Sequence, residues 1–206
     1  MKPVKLLYEG KAKKVFSTSN PNLLIQHFKD DATAFDGVKR GAIVNKGVVN
    51  NRMSGLLFKM LEKKGIPTHF VETLSDREML IKKLDIVPVE VIARNVAAGS
   101  LVKNLGLKMG LKLKRPVLEF CYKSDELHDP QINRYHIFAL GFTSPQRLNK
   151  IEEYSLKINR ILVNFFRKIN SSYFFTVIIV FLYIHDGLCL YSYNTSSCAG
   201  NSAFYH

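Results

Sequence analysis

Residues 87–100 have the sequence VPVEVIARNVAAGS, which is the most informative stretch of the chain. Its pattern predicts a β-strand, in which successive side chains point to opposite faces. Glu90, Ile92 and Arg94 then share one face, and an apolar face carries Val87, Val89, Val91 and Ala93. The apolar face can pack against the rest of the protein, and the other face is available for chemistry.

The end of this stretch predicts a turn that binds an anion. Gly99 lets the backbone approach a ligand closely, and Ser100 is a suitable N-cap for a helix over 101–105 that Gly106 ends. A phosphate could bind between the guanidinium of Arg94, the hydroxyl of Ser100 and the free amides of the helix start. The alternative is a half-buried strand in which Glu90 and Arg94 neutralise each other, followed by an ordinary capped turn.

The remaining pattern predicts an α+β fold with an antiparallel sheet. Further strands are predicted over residues 4–8, 14–17, 23–28, 68–72 and 79–84. A helix over 46–64 is expected to place one apolar face inward, formed by Met53, Leu56, Leu57, Met60 and Leu61. A second amphipathic helix is predicted over 151–169, with Ser144-Pro145 as its start region.

Composition limits the function classes. The chain has 206 residues and a net charge of +13, which suggests an anionic partner. Its lysines are spread along the chain without an Arg-rich, aromatic-interleaved stripe, so small phosphorylated molecules are favoured over nucleic acid. The three cysteines have no metal-ligand spacing, and the N-terminus has no long apolar run. Both features predict a protein of the reducing cytoplasm.

The composition changes sharply at residue 170. All 30 Lys and Arg residues and all but one of the 17 acids precede it, and Asp186 is the only acid after it. Residues 170–206 are therefore an atypical tail, read either as an unusual strand and loop or as out-of-frame sequence. The apolar run over 173–184 is shorter than the roughly 20 residues of a membrane helix, so a buried strand or an aggregation-prone segment is expected and a membrane association is not.

Three polar clusters could bind ligands. The first is the turn Gly10-Lys11-Ala12-Lys13, which lacks P-loop spacing. The second comprises Asp36, Lys39, Lys46, Gly47 and Asn50, and the third comprises Asp125, His128, Asp129 and Asn133. Taken alone, the residues of all three clusters are more typical of solvated or simply hydrogen-bonded turns and loops than of ligand sites.

Several segments resemble the SAICAR synthetase family in the same order. They are LYEGKAKKVFST, TAFDGVKRGAIVNKGVVNN, GIPTHFVETLSDREMLIKKLDIVPVEVIARN with its continuation to Ser100, and KSDELHDPQIN. The resemblance covers about residues 6–169. It implies an antiparallel β-rich subdomain over 1–85 that binds nucleotide phosphates. It also implies an ATP-grasp-like α+β subdomain over 86–169 that binds substrate and is incomplete at its C-terminal end.

The resemblance implies ATP-dependent ligation of L-aspartate to carboxyaminoimidazole ribotide in purine biosynthesis. Gly10, Lys11, Ala12 and Lys13 would then lie over the ATP phosphates, and Arg94 and Ser100 would bind the ribotide phosphate. Asp36, Lys46 and Asp129 become candidate substrate contacts, with no catalytic residue assigned. The implied partners are these small molecules, and the resemblance leaves room for a homo-oligomer.

Magnesium is also implied by the resemblance. The family takes its Mg²⁺ ligands from the glutamate of a DFKLEFG segment and an acid of a DEISPD segment, and neither segment occurs in this sequence. We therefore expect Mg²⁺ with the nucleotide but assign no metal ligand. A catalytically impaired, nucleotide-binding remnant of the family is the alternative function.

Overall fold

The computed structural model describes residues 1–10, 12–34, 39–124, 126–168, 177–183 and 189–190, with backbone alone for 33–34, 39–40, 177–183 and 189–190. Within these residues the fold is α+β with antiparallel pairing, as predicted. The chain divides between Asp85 and Ile86: one compact unit takes in Met1–Asp85 and the next begins at Ile86. No helix in the described residues is long and apolar enough to cross a membrane.

The first unit is a five-stranded antiparallel sheet with one helix against it. Its elements are β1 (Leu6–Glu9), β2 (Lys13–Ser17), β3 (Leu23–Phe28), β4 (Asp31–Ala34), β5 (Lys39–Ala42), α1 (Lys46–Glu62), β6 (Phe70–Thr73) and β7 (Glu78–Lys82). The sheet order is β1-β2-β3-β7-β6, and β4 and β5 form a separate hairpin. Ile25 on β3 and Met79 on β7 are fully buried, so the core lies at the centre of this sheet.

Helix α1 buries part of the predicted face, with Leu57 and Leu61 buried, but the buried surface is shifted from the predicted one. Met53 and Leu56 are 37% and 54% exposed, whereas Gly47 and Gly55 are buried. A Cβ on Gly47 would lie 2.5 Å from the carbonyl oxygen of Phe28, so only glycine permits this close approach of helix and strand. The prediction followed apolar periodicity, but small residues bring the helix backbone against the sheet.

A carboxylate outside the predicted clusters anchors the start of α1. Asp30 accepts hydrogen bonds from both terminal nitrogens of Arg77, at 2.6 and 2.8 Å, and from the amide of Gly47 at 2.8 Å. The Arg77 guanidinium, and then the Gly47 amide, hold the pKa of Asp30 well below its usual range. Asp30 thus ties α1 to the residue that precedes β7.

The second unit is a five-stranded sheet with three helices. Its elements are β8 (Ile86–Val96), α2 (Ser100–Leu105), β9 (Lys112–Tyr122), β10 (Gln131–Ile132), α3 (Arg134–Ala139), α4 (Pro145–Lys168), β11 (Val177–Tyr183) and β12 (Cys189–Leu190). The strand order is β10-β9-β8-β11-β12. Strand β9 was not predicted. Its first half contains Lys112, Lys114, Arg115 and Pro116, which are not typical of a strand, and only its second half is apolar.

Helix α4 packs against the apolar face of β8. Ile151, Ile158 and Leu162 on α4 are buried, and so are Val91 and Ala93 on β8. The side-chain amides of Asn95 and Asn159 exchange two hydrogen bonds, at 2.8 and 2.9 Å, between the strand and the helix. The odd-numbered side chains of β8 therefore face α4, and the even-numbered side chains occupy the opposite face.

Candidate functional site

Arg94 is the organising side chain of the turn that follows β8. Its Nε donates to Glu119 on β9 at 2.6 Å, and its two terminal nitrogens donate to Ser100 Oγ at 2.8 Å and to the carbonyl of Ala98 at 3.2 Å. Arg94 and Glu119 are only 4% and 7% exposed. The guanidinium thus holds two strands and the turn in one fixed arrangement.

The partner of Arg94 differs from the one considered in the sequence. Glu119 lies opposite Ile92 in the β8–β9 register, which brings its carboxylate beside Arg94. The alternative in which Glu90 neutralises Arg94 is therefore wrong. Sequence reasoning missed Glu119 because it lies 25 residues away, on a strand that was not predicted.

The helix cap also differs from the prediction. Helix α2 begins at Ser100 itself, and its N-cap is Gly99, with φ 55° and ψ −132°. Only glycine adopts this backbone conformation readily. The Ser100 oxygen accepts a hydrogen bond from Arg94 instead of from a helix amide. Gly106 ends the helix in the left-handed conformation, as predicted.

Several donors at this turn remain available to a ligand. Ser100 uses its oxygen as an acceptor, so its hydroxyl proton can be donated elsewhere. Arg94 has five N–H groups, and three of them are engaged with described residues. Gly99 and Ser100 are half-buried, so the turn remains partly open to solvent. This donor set is suited to a phosphate group.

Glu90 is a buried acid on the same face of β8 as Arg94. Its side chain is 1% exposed, and its Oε2 has no hydrogen-bond partner among the described residues. Burial, and then the negative charge of Asp129, raise the pKa of Glu90 to about 7 against the opposing effects of Lys123 and Arg94. Glu90 can therefore exist in either protonation state near neutral pH.

Asp129 lies in a tight loop and is held by a lysine. Lys123 Nζ lies 2.9 and 2.7 Å from the two carboxylate oxygens, and the amide of Ser124 donates to one of them at 3.0 Å. His128 and Asp129 both have positive φ, 56° and 49°, which is costly for residues with a Cβ. Such conformations are found disproportionately at functional sites.

The hairpin between β1 and β2 carries the predicted nucleotide-binding residues. The Gly10 amide donates to the Lys13 carbonyl at 2.9 Å, and the Ala12 carbonyl accepts from the Lys29 amide at 2.8 Å. Lys13 is 8% exposed and its ammonium donates to Gln26 at 2.8 Å. Lys11 lies outside the described residues.

Lys29 stabilises the ends of this hairpin turn through two ion pairs. Its ammonium forms ion pairs with Glu9 at 2.7 Å and Asp31 at 2.6 Å. A Cβ on Gly10 would lie 2.6 Å from the Tyr8 hydroxyl oxygen, so the Tyr8 ring covers this glycine closely. The turn is therefore preorganised by contacts within its own unit.

The second predicted cluster is only partly described. Asp36 lies outside the described residues. Lys46 donates from Nζ to the carbonyl of Asp31 at 2.8 Å, which joins the start of α1 to β4. The described geometry therefore gives Lys46 a structural contact.

The described residues do not form a magnesium site. No group of three His, Cys, Asp or Glu side chains among them is arranged to hold a metal ion. The carboxylates of Asp30 and Asp129 are occupied by Arg77 and Lys123. The ion implied by the sequence resemblance thus has no fitting set of ligands in this part of the chain.

Comparison with known proteins identifies the class. The SAICAR synthetase family model matches residues 6–172. The phosphoribosylaminoimidazole-succinocarboxamide synthase of Caldanaerobacter subterraneus is 57% identical over 166 residues, which are 81% of this chain and 71% of that protein. The enzyme of the same name from Coprothermobacter proteolyticus is 52% identical over 165 residues, 80% of this chain and 70% of that protein.

Solved structures agree with these relatives. The Ehrlichia chaffeensis phosphoribosylaminoimidazole-succinocarboxamide synthase has a TM-score of 0.84 and 41% identity, covering 90% of this chain and 80% of that one. A SAICAR synthetase in complex with ADP has a TM-score of 0.77 and 44% identity, covering 84% and 72%. The fold is therefore that of the SAICAR synthetases, a family of ATP-dependent ligases. The chain belongs to the SAICAR synthetase family of purine biosynthesis.

Proposed function

We propose that this chain binds ATP at the β1–β2 hairpin and a ribotide phosphate at the turn after β8, and ligates L-aspartate to carboxyaminoimidazole ribotide. The arrangement of Arg94, Ser100 and Gly99 is the observation that carries the proposal. A family member is known in complex with ADP, which supports a nucleotide as co-substrate. The three cysteines, whose spacing matches no disulfide framework, support the cytoplasm as its compartment.

The reaction places defined demands on the protein. A carboxylate is a poor electrophile, so it must gain a leaving group, which transfer of the γ-phosphoryl group of ATP to its oxygen supplies. The amine of aspartate then displaces inorganic phosphate and forms the amide. The protein's contribution is to bind anions, orient them and keep donors fixed during the reaction.

The turn after β8 meets the demand for fixed donors. The buried Arg94–Glu119 pair sets the position of the guanidinium, and Arg94 in turn sets the position of Ser100. The hydroxyl proton of Ser100 and the remaining guanidinium N–H groups then bind the ribotide phosphate. Because these donors are already in place, little reorganisation accompanies binding.

The β1–β2 hairpin provides the nucleotide contacts in the first unit. Gly10 and Ala12 are small residues that would let a nucleotide approach the backbone, and Lys11 and Lys13 would supply positive charge. Lys29 and its two acids hold the turn in shape. Magnesium, when bound with the nucleotide, would screen phosphate charge.

Three further residues complete the proposed substrate contacts. Asp129, held by Lys123 in a loop with positive φ, is the candidate in the second unit. Asp36 and Lys46 are the candidates in the first unit, and Lys46 would have to exchange its contact with the Asp31 carbonyl for one with substrate. None of the three is assigned a catalytic step.

The test is a turnover assay combined with Ser100→Ala. We expect ATP hydrolysis that requires aspartate and ribotide together, whereas nucleotide binding without turnover would support the impaired remnant. In Ser100→Ala, the ribotide should bind about 5- to 10-fold more weakly because one hydrogen bond is lost, with ATP affinity unchanged. Ser144→Ala is the matched control, because the hydroxyl oxygen of Ser144 also accepts one hydrogen bond, from the backbone amide of Arg147 at the start of α4. Equal weakening of both ligands by Ser100→Ala would contradict the assignment of this turn to the ribotide.

A further inference from the structure

We propose that Lys29 is a positioning residue for the nucleotide: its ammonium neutralises the Glu9 and Asp31 carboxylates beside the β1–β2 turn, so that the turn can accept a polyphosphate. The inference rests on the proposed function, because it takes the nucleotide phosphates to lie at residues 10–13. It assigns a role in nucleotide binding to a lysine outside that turn, which acts through its neighbours.

The first argument is that the Lys29 ammonium has no donor left for a phosphate. It donates to Glu9 Oε1 at 2.7 Å and to the carbonyl oxygen of Gly10 at 3.4 Å, and it pairs with Asp31 Oδ2 at 2.6 Å. A lysine ammonium carries three N–H donors, and these three oxygens account for all of them. Lys29 therefore acts on a nucleotide through its neighbours and not by direct contact.

The second argument is that Lys29 contacts both ends of the turn. Its ammonium binds Glu9 and the Gly10 carbonyl at the start of the turn, and its backbone amide donates to the Ala12 carbonyl at 2.8 Å. The Lys29 side chain is only 17% exposed, so its ammonium is largely shielded from water. The positive charge is therefore held at a fixed position next to the segment proposed to bind phosphates.

The third argument is the negative charge that Lys29 offsets. Glu9 immediately precedes the turn, and Asp31, the first residue of β4, reaches the same ammonium. Two uncompensated carboxylates at this position would repel the negative charges of a polyphosphate. Glu9 has a second cation, Lys14 at 3.4 Å, whereas in the described part of the chain Asp31 pairs with Lys29 alone. Removing Lys29 would thus leave Asp31 without an ion-pair partner there.

The protonation states of the ion pairs agree with this role. The Asp31 carboxylate, and then the Glu9 carboxylate, raise the pKa of the Lys29 ammonium. Lys29 in turn holds the pKa of Glu9 below its usual value. The ammonium and the Glu9 carboxylate are therefore both charged at neutral pH. The effect of Lys29 on a nucleotide is one of charge, and it should weaken as salt is added.

The experiment is calorimetric titration of the full chain with ADP at pH 7 and low salt. Lys29→Met should bind ADP about fivefold more weakly, because two carboxylates then face the nucleotide with less positive charge beside them. Lys59→Met is the matched control, since it removes a lysine that lies over the Phe70 ring in the same unit and lowers the net charge equally. Lys59→Met and Lys29→Arg, which keeps the charge, should both bind ADP as the wild type does.

A second substitution separates the charge of Lys29 from its effect on the shape of the turn. Adding Glu9→Gln to Lys29→Met should recover part of the lost affinity, because one of the two repelling carboxylates is removed. Glu9→Gln alone should bind ADP at least as tightly as the wild type, and this variant tests the proposal even if Lys29→Met does not fold. Weaker binding by Glu9→Gln alone, or a loss in Lys29→Met that neither Glu9→Gln nor added salt reduces, would overturn the proposal.

Lys11→Ala tests the proposed function itself. If the wild type does not bind ADP, or binds it equally well in Lys11→Ala, the assignment of the nucleotide to this turn fails, and the role of Lys29 fails with it. ADP binding that depends on Lys11 but is the same in Lys29→Met and Lys59→Met would overturn the role of Lys29 alone.

Discussion

Arg94 and Glu90 occupy the same face of one strand in opposite electrostatic situations. Arg94 is buried with a carboxylate partner, a hydroxyl and a carbonyl. Glu90 is buried with an oxygen that lacks a partner in the described part of the chain. A buried charge is tolerated when it is paired, and an acid without a cation shifts toward its neutral form instead. The raised pKa of Glu90 follows from this difference.

Glu90 should make the free energy of unfolding decrease as the pH rises toward 7, whereas a carboxylate with a lowered pKa has the opposite effect. Its pKa rises from 4.5 to about 7 on folding, so between these values the folded state binds more protons than the unfolded state. Stability is therefore fully present below pH 4.5 and is lost as the pH rises through 7. Relative to Glu90→Gln, the wild type should lose about 3 kcal/mol across this window.

Urea unfolding of both proteins at intervals between pH 4 and 8 measures this difference. Glu152→Gln serves as the control, because its carboxylate is paired with Arg134 in a half-buried position on α4. A wild-type curve parallel to that of Glu90→Gln over the whole range would contradict the raised pKa.

At the level of elements, the sequence predicted which strands and helices form better than it predicted which of their faces are buried. Strand β3 was placed at its observed bounds, because its residues are strongly β-forming and flanked by turns. The inward face of α1 was predicted only in part: Leu57 and Leu61 are buried as expected, but Gly47 and Gly55 are buried too, and the periodicity of large apolar residues does not detect them. The partner of Arg94 was missed for a related reason: pairing across strands depends on register, which local patterns do not contain.

The start of α1 should depend on the Asp30 carboxylate. Asp30→Asn removes the ion pair with Arg77, so the variant should unfold at lower urea than the wild type at pH 7. The pKa of Asp30 is lowered from 3.8, so its contribution is present above that value and is lost as the pH falls through the lower folded pKa. The gap between the two urea midpoints should therefore close only in strong acid.

Asp76→Asn is the matched control for this element. Asp76 also pairs with an arginine, Arg52, but both side chains are more than two-thirds exposed. Exposed pairs contribute little to stability. A loss in Asp76→Asn equal to that in Asp30→Asn would show that the helix start does not depend on Asp30.

At the level of the whole molecule, several of the lysines and arginines form ion pairs within the protein. Lys29 pairs with two acids, Lys123 with Asp129, and Arg77 with Asp30. The net charge of +13 counts the cations in excess of such pairs, and because they are spread along the sequence it does not by itself indicate a nucleic-acid surface. The resemblance to one family predicted the α+β fold and the ligase class, whereas the hydrogen bonds of the site required coordinates.

The spread of the lysines along the sequence predicts weak binding to RNA, with an affinity that depends little on salt concentration. A protein that contacts six to ten phosphates loses roughly 10³- to 10⁵-fold in affinity between 50 and 200 mM salt. We expect less than about a tenfold change here, because the lysines are spread along the sequence without an Arg-rich, aromatic-interleaved stripe. Filter-binding titrations at the two salt concentrations measure the change, and a steep slope would support a nucleic-acid interface instead.

Strand β8 lies between β9 and β11, and it carries the acid and the guanidinium on one side and the α4 contacts on the other. Losing or gaining a single residue inside it would exchange those two sides, turning Glu90 toward the helix and valines toward the opposite face. Related chains can therefore vary the composition of this segment far more freely than its length, and indels within it should be absent from working enzymes.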